Sequence, residues 1–323
     1  MAHELQLSLD GTASMAYVGA MPWHGLGQKL TENATIEDWR REAKLDWHLD
    51  RSTVQFMNGE MHDFPEHHVL YRSDSNAPLA VVSDRYKVVQ PGEVLEFFRD
   101  LVAHSGFTLE TAGSLKGGRR IWALARTGFD AEVVDNDPVK NYLLLATSCD
   151  GSLATTAQFT SVRVVCNNTL HLSLHGAQAA LASASVIKVR HNTEFDPTVV
   201  QDQLGLIGEK VFGSFIDRMK NLSRKPVSAA QADAVLQSLM SSIATPDVIK
   251  SRGYKTVMGL FNGAGKGAGL DGVRGTAWGL LNAVTEYHDF HIRARGQDNR
   301  LNSAWFGIGA NAKEKALRAL EAL

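Results

Sequence analysis

Residues 140–184 read KNYLLLATSCDGSLATTAQFTSVRVVCNNTLHLSLHGAQAALASA, and the fold turns on how this stretch divides. Tyr142–Thr147 and Ser152–Thr160 are runs of strand-favouring residues. Between them, Asp150-Gly151 is the dipeptide suited to a tight type I′ turn, whose two central residues both take positive φ. The spacing predicts an antiparallel hairpin. In its second strand Leu153, Ala157 and Phe159 share one face, while Ala154, Thr156, Gln158 and Thr160 share the other. One face is thus expected to pack and the other to stay polar. Beyond the hairpin, VRVVCNNTL has the propensity of a strand but the period of a helix. Val162, Val165, Cys166, Thr169, Leu170, Ser173 and Ala177 recur at helical intervals behind Ser161, placed as an N-cap. That period predicts a helix carrying a polar stripe of Arg163, Asn167, His171 and His175.

Upstream, Pro91–Ser105 reads as an amphipathic helix, with Val94, Leu95, Phe98, Leu101 and Val102 on one face and Gly106 after it. Phe107–Gly113 and Arg119–Thr127 read as strands around the turn 114–118. The order is helix, four strands, helix, with no βαβ alternation. The fold class is therefore α+β, an antiparallel sheet with packed helices in the centre. VIKVRHNTEF at 186–195 adds an extended run.

Before the centre, AMPWHGLGQKL at 20–30 is a loop anchored by Trp23 and Leu26, with His24 in a structural role. Thr35–Leu45 is a short helix capped by Thr35. Residues 53–64 and 67–73 are strands turned at Asn58-Gly59, and 78–89 is strand-like. After Pro197 the chain turns helical over Thr198–Asn221, Ser228–Ser242, Thr276–His288 and Ala312–Leu323, with a glycine-rich stretch at 259–275. Three segments result: an acidic β-rich N-terminal lobe (1–88), a central α+β domain with a basic hairpin (89–196) and a helical C-terminal region (197–323).

No apolar run approaches the ~18 residues of a membrane helix, and the N-terminus lacks a secretory pattern. Two cysteines argue against a disulfide scaffold and suit a reducing cytoplasm. The net charge of −2 conceals a polarity. Residues 1–110 carry 9 Lys+Arg against 17 Asp+Glu, whereas 111–323 carry 24 against 18. A polyanionic partner for the later part, or attraction between the two parts within or between subunits, would each account for it.

Catalytic patterns fail to assemble. GxSxG is absent, Cys149 falls in a turn, and Cys166 lies on the apolar stripe. His62, His67 and His68 match no zinc spacing, and His171/His175 lack the glutamate of a zincin because residue 172 is Leu. Gly267–Gly272 formally fits GxGxxG but follows no strand, and Gly265-Lys266-Gly267 breaks a Walker A. Lys266 and Arg274 among seven glycines instead suggest a mobile basic loop over a groove. Asp135, Asp137 and Asp150 lack the companion residues of a nuclease metal site. No catalytic residue, metal ligand or cofactor is expected.

Basic residues do assemble. Lys116, Arg119, Arg120 and Arg126 fall in a segment, 111–129, without an acid, and a Lys-Gly-Arg hairpin tip brings backbone and charge close to phosphates. Lys140, Arg163, Lys188, Arg190, Lys266 and Arg274 would extend the contact. Asn167, Asn168 and His171 would hydrogen-bond sugar or phosphate, and Trp122 would stack a base.

MPWHGLG at 21–27, SLKGGRRIWALA at 114–125, DGS at 150–152, VRVVCNNTL at 162–170 and GTAWGLLNAVTEYHD at 275–289 together resemble a phage/plasmid-like family with a domain of unknown function. That resemblance implies a mobile-element setting inside a bacterial host. The architecture also resembles, at the level of fold alone, Rad52-type single-strand annealing proteins, which implies an oligomeric ring or filament holding a DNA backbone without ATP. The expected function is single-stranded nucleic-acid binding, DNA favoured, that promotes annealing or recombination. A rival reading makes the chain a mobile-element protein that binds and blocks a host defence factor through its acidic lobe. A third is a metal-dependent nuclease.

Overall fold

The computed structural model describes residues 12–19, 27–105, 107–163, 168–171, 186–193, 196, 198–199, 202, 204, 208–241, 247–294 and 297–323. The class is α+β, with antiparallel sheets and a helical C-terminal part. Its strands are β1 (Met15–Val18), β2 (Gln28–Leu30), β3 (Leu49–Asn58), β4 (Glu60–Arg72), β5 (Pro78–Ser83), β6 (Thr108–Leu115), β7 (Arg120–Glu132), β8 (Pro138–Ser148), β9 (Thr155–Arg163), β10 (Asn168–His171) and β11 (Val186–Val189). One sheet runs β10-β9-β8-β7-β6-β1-β2, with β11 also on β9, and a second runs β3-β4-β5. Only the β1–β2 pair among those whose register is defined is parallel.

Two compact units interleave along the chain: 1–128, 143–158 and 186–206 in the first, and 129–142, 159–185 and 207–323 in the second. β7, β8 and β9 each contribute residues to both. This division differs from the three consecutive segments that composition suggests, because a long strand is one element of sequence and need not belong to one core.

In the first unit, α1 (Ile36–Glu42) begins where Thr35 predicts. Thr35 Oγ1 accepts from the Asp38 amide while Asp38 reaches back to the Thr35 amide, a reciprocal capping box. Thr35→Ala is expected to lower stability by about 1 kcal/mol, read as a shifted denaturant midpoint at constant slope. α2 spans Pro91–Ser105, and its Val94, Leu95, Phe97 and Phe98 are buried. The hairpin β6–β7 turns through Lys116–Gly118, where Gly118 has φ +96°. A Cβ there would stand 2.9 Å from the Trp47 ring, so the tight approach requires glycine. The hairpin β8–β9 forms as expected, but its turn is wider than type I′: Gly151 has φ +70°, whereas Asp150 is not among the positive-φ residues. Asp150 instead accepts from the Ser152 amide, an Asx-type closure.

Two expectations for the opening stretch are corrected. Thr156, Gln158 and Thr160 are buried, so β9 is covered on both faces rather than polar on one. The helix over 161–177 is not formed where the structure describes it. Ser161, Val162 and Arg163 close β9, and Asn168–His171 pair with it antiparallel, Asn168 opposite Arg163 and His171 opposite Thr160. Residues 164–167 and 172–185, with Cys166, Asn167 and His175, lie outside the described residues.

The second unit holds α3 (Gly208–Ser223), α4 (Ala229–Met240), α5 (Arg252–Gly259), α6 (Ala277–Glu286), α7 (Gln297–Phe306) and α8 (Ile308–Glu321). Ser228 caps α4 with Gln231 completing a capping box, as its spacing predicts. α6 is buried along its whole length, packed by α3, α5 and α8. No face of it is exposed, and its polar residues Asn282, Thr285 and Glu286 are buried with the rest.

Candidate functional site

In the first unit the residues 83–86, 151–154 and 190–192 surround a cleft of ≈ 510 Å³. The Tyr86 ring lies against the His191 imidazole, centroids 4.5 Å apart and planes 15° from parallel. The stack is fixed from both sides. Tyr86 Oη donates to the Ser148 carbonyl at 2.7 Å, and burial pushes its pKa well above the ordinary phenol value. His191 sets Nδ1 3.1 Å from the Lys87 carbonyl and Nε2 3.0 Å from that of Leu153. The Lys87 amide bonds the His191 carbonyl, and Arg51 donates to that of Tyr86. Ala154, Gly151, Arg85 and Arg190 also line the cleft. Both arginines are exposed and neither has a carboxylate within ion-pair distance among the described residues. Lys188 precedes Arg190 by one strand repeat, exposed and equally without an acid partner among those residues.

The basic hairpin tip meets the wall of this cleft. The Cys149 amide bonds the Arg119 carbonyl at 3.0 Å, and Arg120 Nη2 donates to Ser152 Oγ at 2.9 Å. Thus the turn 149–154 carries the hairpin on one side and lines the cleft on the other. Arg119 is exposed, its Nε donating to the Leu79 carbonyl at 2.9 Å. Lys116 and Arg126 are half-buried.

Three of the expected contacts are corrected. Trp122, 1% exposed in β7, presents no face to a base. Arg120 is buried and spent on holding the turn. Arg163 is buried in the second unit, its Nε 2.5 Å from Asp137 Oδ1 and its Nη1 3.2 Å from the Lys266 carbonyl. It serves architecture, because a guanidinium without water access cannot exchange a protein carboxylate for a phosphate. Also in the second unit, Lys140 is half-buried, and Lys266 and Arg274 are exposed. The Lys266 ammonium stands 5.6 Å from the Phe290 ring. The glycine-rich stretch is tied down rather than loose: Arg163 also donates to the Gly267 carbonyl, and the Lys266 amide donates to Glu286. The side chains of Asn168 and His171, like all of Asn167, lie outside what the structure describes.

Candidate catalytic groups are engaged elsewhere. Burial pushes the Cys149 thiol up to about 12, with Sγ facing the Gly118 and Arg119 carbonyls. Asp137 is fully buried between Arg163 and the Trp278 indole N–H. On β4, His62 stacks on Phe56, His67 stacks on Phe64, and His68 bonds Asp84. Among the described residues no three His, Cys, Asp or Glu side chains group as a metal site, and no helix is long and apolar enough to cross a membrane.

Arg85, Tyr86 and His191 escape a reading of sequence alone. One signal was present: an arginine directly before a ring residue occurs at Arg85-Tyr86 and again at Arg190-His191, and the fold brings both pairs to one cleft. No curated protein and no solved structure matches the chain. A family profile does match, over residues 78–305, and it takes in the cleft, the basic hairpin and the buried Arg163–Asp137 pair; the chain belongs to the domain-of-unknown-function family DUF932.

Proposed function

We propose that the chain binds single-stranded nucleic acid, DNA in preference, along the basic face of its first unit, and that it does so without ATP in the service of strand annealing or recombination on a phage or plasmid. The carrying observation is the cleft: a stacked Tyr86–His191 pair lines it together with Arg85 and Arg190, and Lys188 lies two residues before Arg190. Single-strand binders combine an aromatic surface for bases with cations for the backbone, and both are built from neighbouring positions here. Arg119 at the hairpin tip extends the cationic track. Buried Trp122, Arg120 and Arg163 take no part in it.

Three cations neutralising three phosphates of a single strand give a log–log salt slope of about −2, so raising salt from about 50 to about 200 mM should weaken binding roughly twentyfold. Fluorescence anisotropy with labelled single-stranded DNA, duplex DNA and RNA measures this. Arg85→Ala with Arg190→Ala should weaken single-strand binding by about tenfold or more and flatten the slope, without a change in melting temperature. Binding that ignores salt, or that survives the double substitution, would remove the cleft from the reading.

A further inference from the structure

The first unit also carries a projecting arm. β5 pairs with His67–Tyr71 of β4, leaving Val54–Phe64 as a two-stranded extension closed at Gly59 (φ +77°). The register slips at its base: Thr53 faces His68 and Val54 faces Phe64, so β4 has the three extra residues Pro65, Glu66 and His67 against β3, while His67 still pairs with Ser83 of β5. Phe56, Met57, Met61 and Phe64 are 52, 67, 57 and 43% exposed. The arm carries exposed apolar side chains on both faces. Phe56 stacks on His62 at 5.3 Å on one, while Met57 and Met61 share the other with a Gln55–Asp63 hydrogen bond of 2.7 Å. Two-stranded ribbons are marginal in water by themselves, and a patch of this kind on a soluble surface marks a contact.

Charge identifies the occupant. Residues 52–71 contain Glu60, Asp63 and Glu66 and no Lys or Arg, so two arms laid against each other would repel. The complementary surface is the cleft, lined by the Tyr86–His191 stack, Ala154 and two exposed arginines that lack acid partners among the described residues. We infer that the arm of one copy docks in the cleft of a second copy, its Phe and Met side chains over Tyr86 and Ala154 and its acids against Arg85 and Arg190. The contact joins unlike surfaces, so it propagates head to tail into a ring or filament. It shares its surface with the nucleic-acid site of the preceding section but stands without that reading, and it makes assembly and strand binding compete.

The test uses the full chain with two sets of substitutions: Phe56→Ser with Met61→Ser on the arm, and Arg85→Glu with Arg190→Glu at the cleft. All four side chains are exposed, and circular dichroism and thermal melting verify that each variant folds. Light scattering should show wild-type mass rising with concentration and falling with salt, and each variant monomeric alone. Mixed, the variants should form a one-to-one dimer, because one intact arm then meets one intact cleft. A wild type that stays monomeric at all concentrations, as it would if the arm served a different protein, overturns the inference. So does a mixture that fails to associate, or an arm variant that assembles like the wild type. Anisotropy on the arm variant separates the two readings: its cleft is intact, so absent strand binding there would count against nucleic acid and leave assembly standing.

Discussion

Replacing Asp137 with alanine is expected to destabilise the protein by about 3–5 kcal/mol, the cost typical of removing one partner from a buried ion pair. Asp137 is fully buried at the start of β8, and both its oxygens are engaged. Oδ1 faces Arg163 Nε at 2.5 Å, and Oδ2 accepts from Trp278 Nε1 at 2.8 Å. Arg163 is itself only 2% exposed, with its charge over the Trp278 ring at 5.7 Å. Alanine would take Oδ1 from the buried Arg163 guanidinium and the Oδ2 acceptor from the Trp278 indole. The Lys266 and Gly267 carbonyls held by the same guanidinium would loosen, and hydrogen exchange should quicken across 263–275. Asp137→Leu with Arg163→Met should cost far less, because both charges leave together. Denaturant titration of the single and double variants decides it. A single-variant loss below about 1 kcal/mol would mean that Arg163 finds water or another acid.

The same pair shows where sequence stops being informative. Helix starts at Thr35 and Ser228, the helix Pro91–Ser105, and the hairpins at Asn58-Gly59 and 116–118 rest on contacts within a few residues, and all were legible. The stretch 161–171 was not. Thr160, Val162, Val164 and Val165 are β-branched, and a strand buried on both faces, as β9 is, loses the alternation that would betray it, leaving a chance 3.6-residue period to mislead. The polar residues of β9 need no wet surface, because their hydroxyls are satisfied inside: on one face Thr156 donates to the Ala154 carbonyl, and on the other Thr155 meets Thr147 at 2.9 Å. The role of a charge is hidden for a related reason. Nothing local to Arg163 announces an acid 26 residues earlier, and nothing local to Arg190 announces the lack of one. Only tertiary pairing separates a cation that builds from one that can bind.

Lowering the pH from about 7 to about 4 should remove roughly 3 kcal/mol of stability through His288 alone. Its side chain is buried just after α6, and its Nδ1 has no hydrogen-bond partner among the described residues. Burial, and secondarily the charge of Lys313, lower its pKa from 6.5 to about 4. Lys313 is itself buried, 2.7 Å from Asp289. A folded-state pKa below the unfolded value means that the unfolded chain takes up the proton first. The contribution is therefore complete above pH 6.5, is lost as pH falls from 6.5 to about 4, and falls no further below that. Carboxylates titrate through the lower part of the same window, so the wild-type curve by itself does not isolate the imidazole. His288→Phe does, since it keeps a ring of similar shape beside Tyr287 and removes the titration. The difference between the two stability curves should open below pH 6.5 and reach roughly 3 kcal/mol near pH 4, by up to 1.4 kcal/mol per pH unit. Parallel curves across that interval would show that the buried site accepts a protonated imidazole without loss of stability.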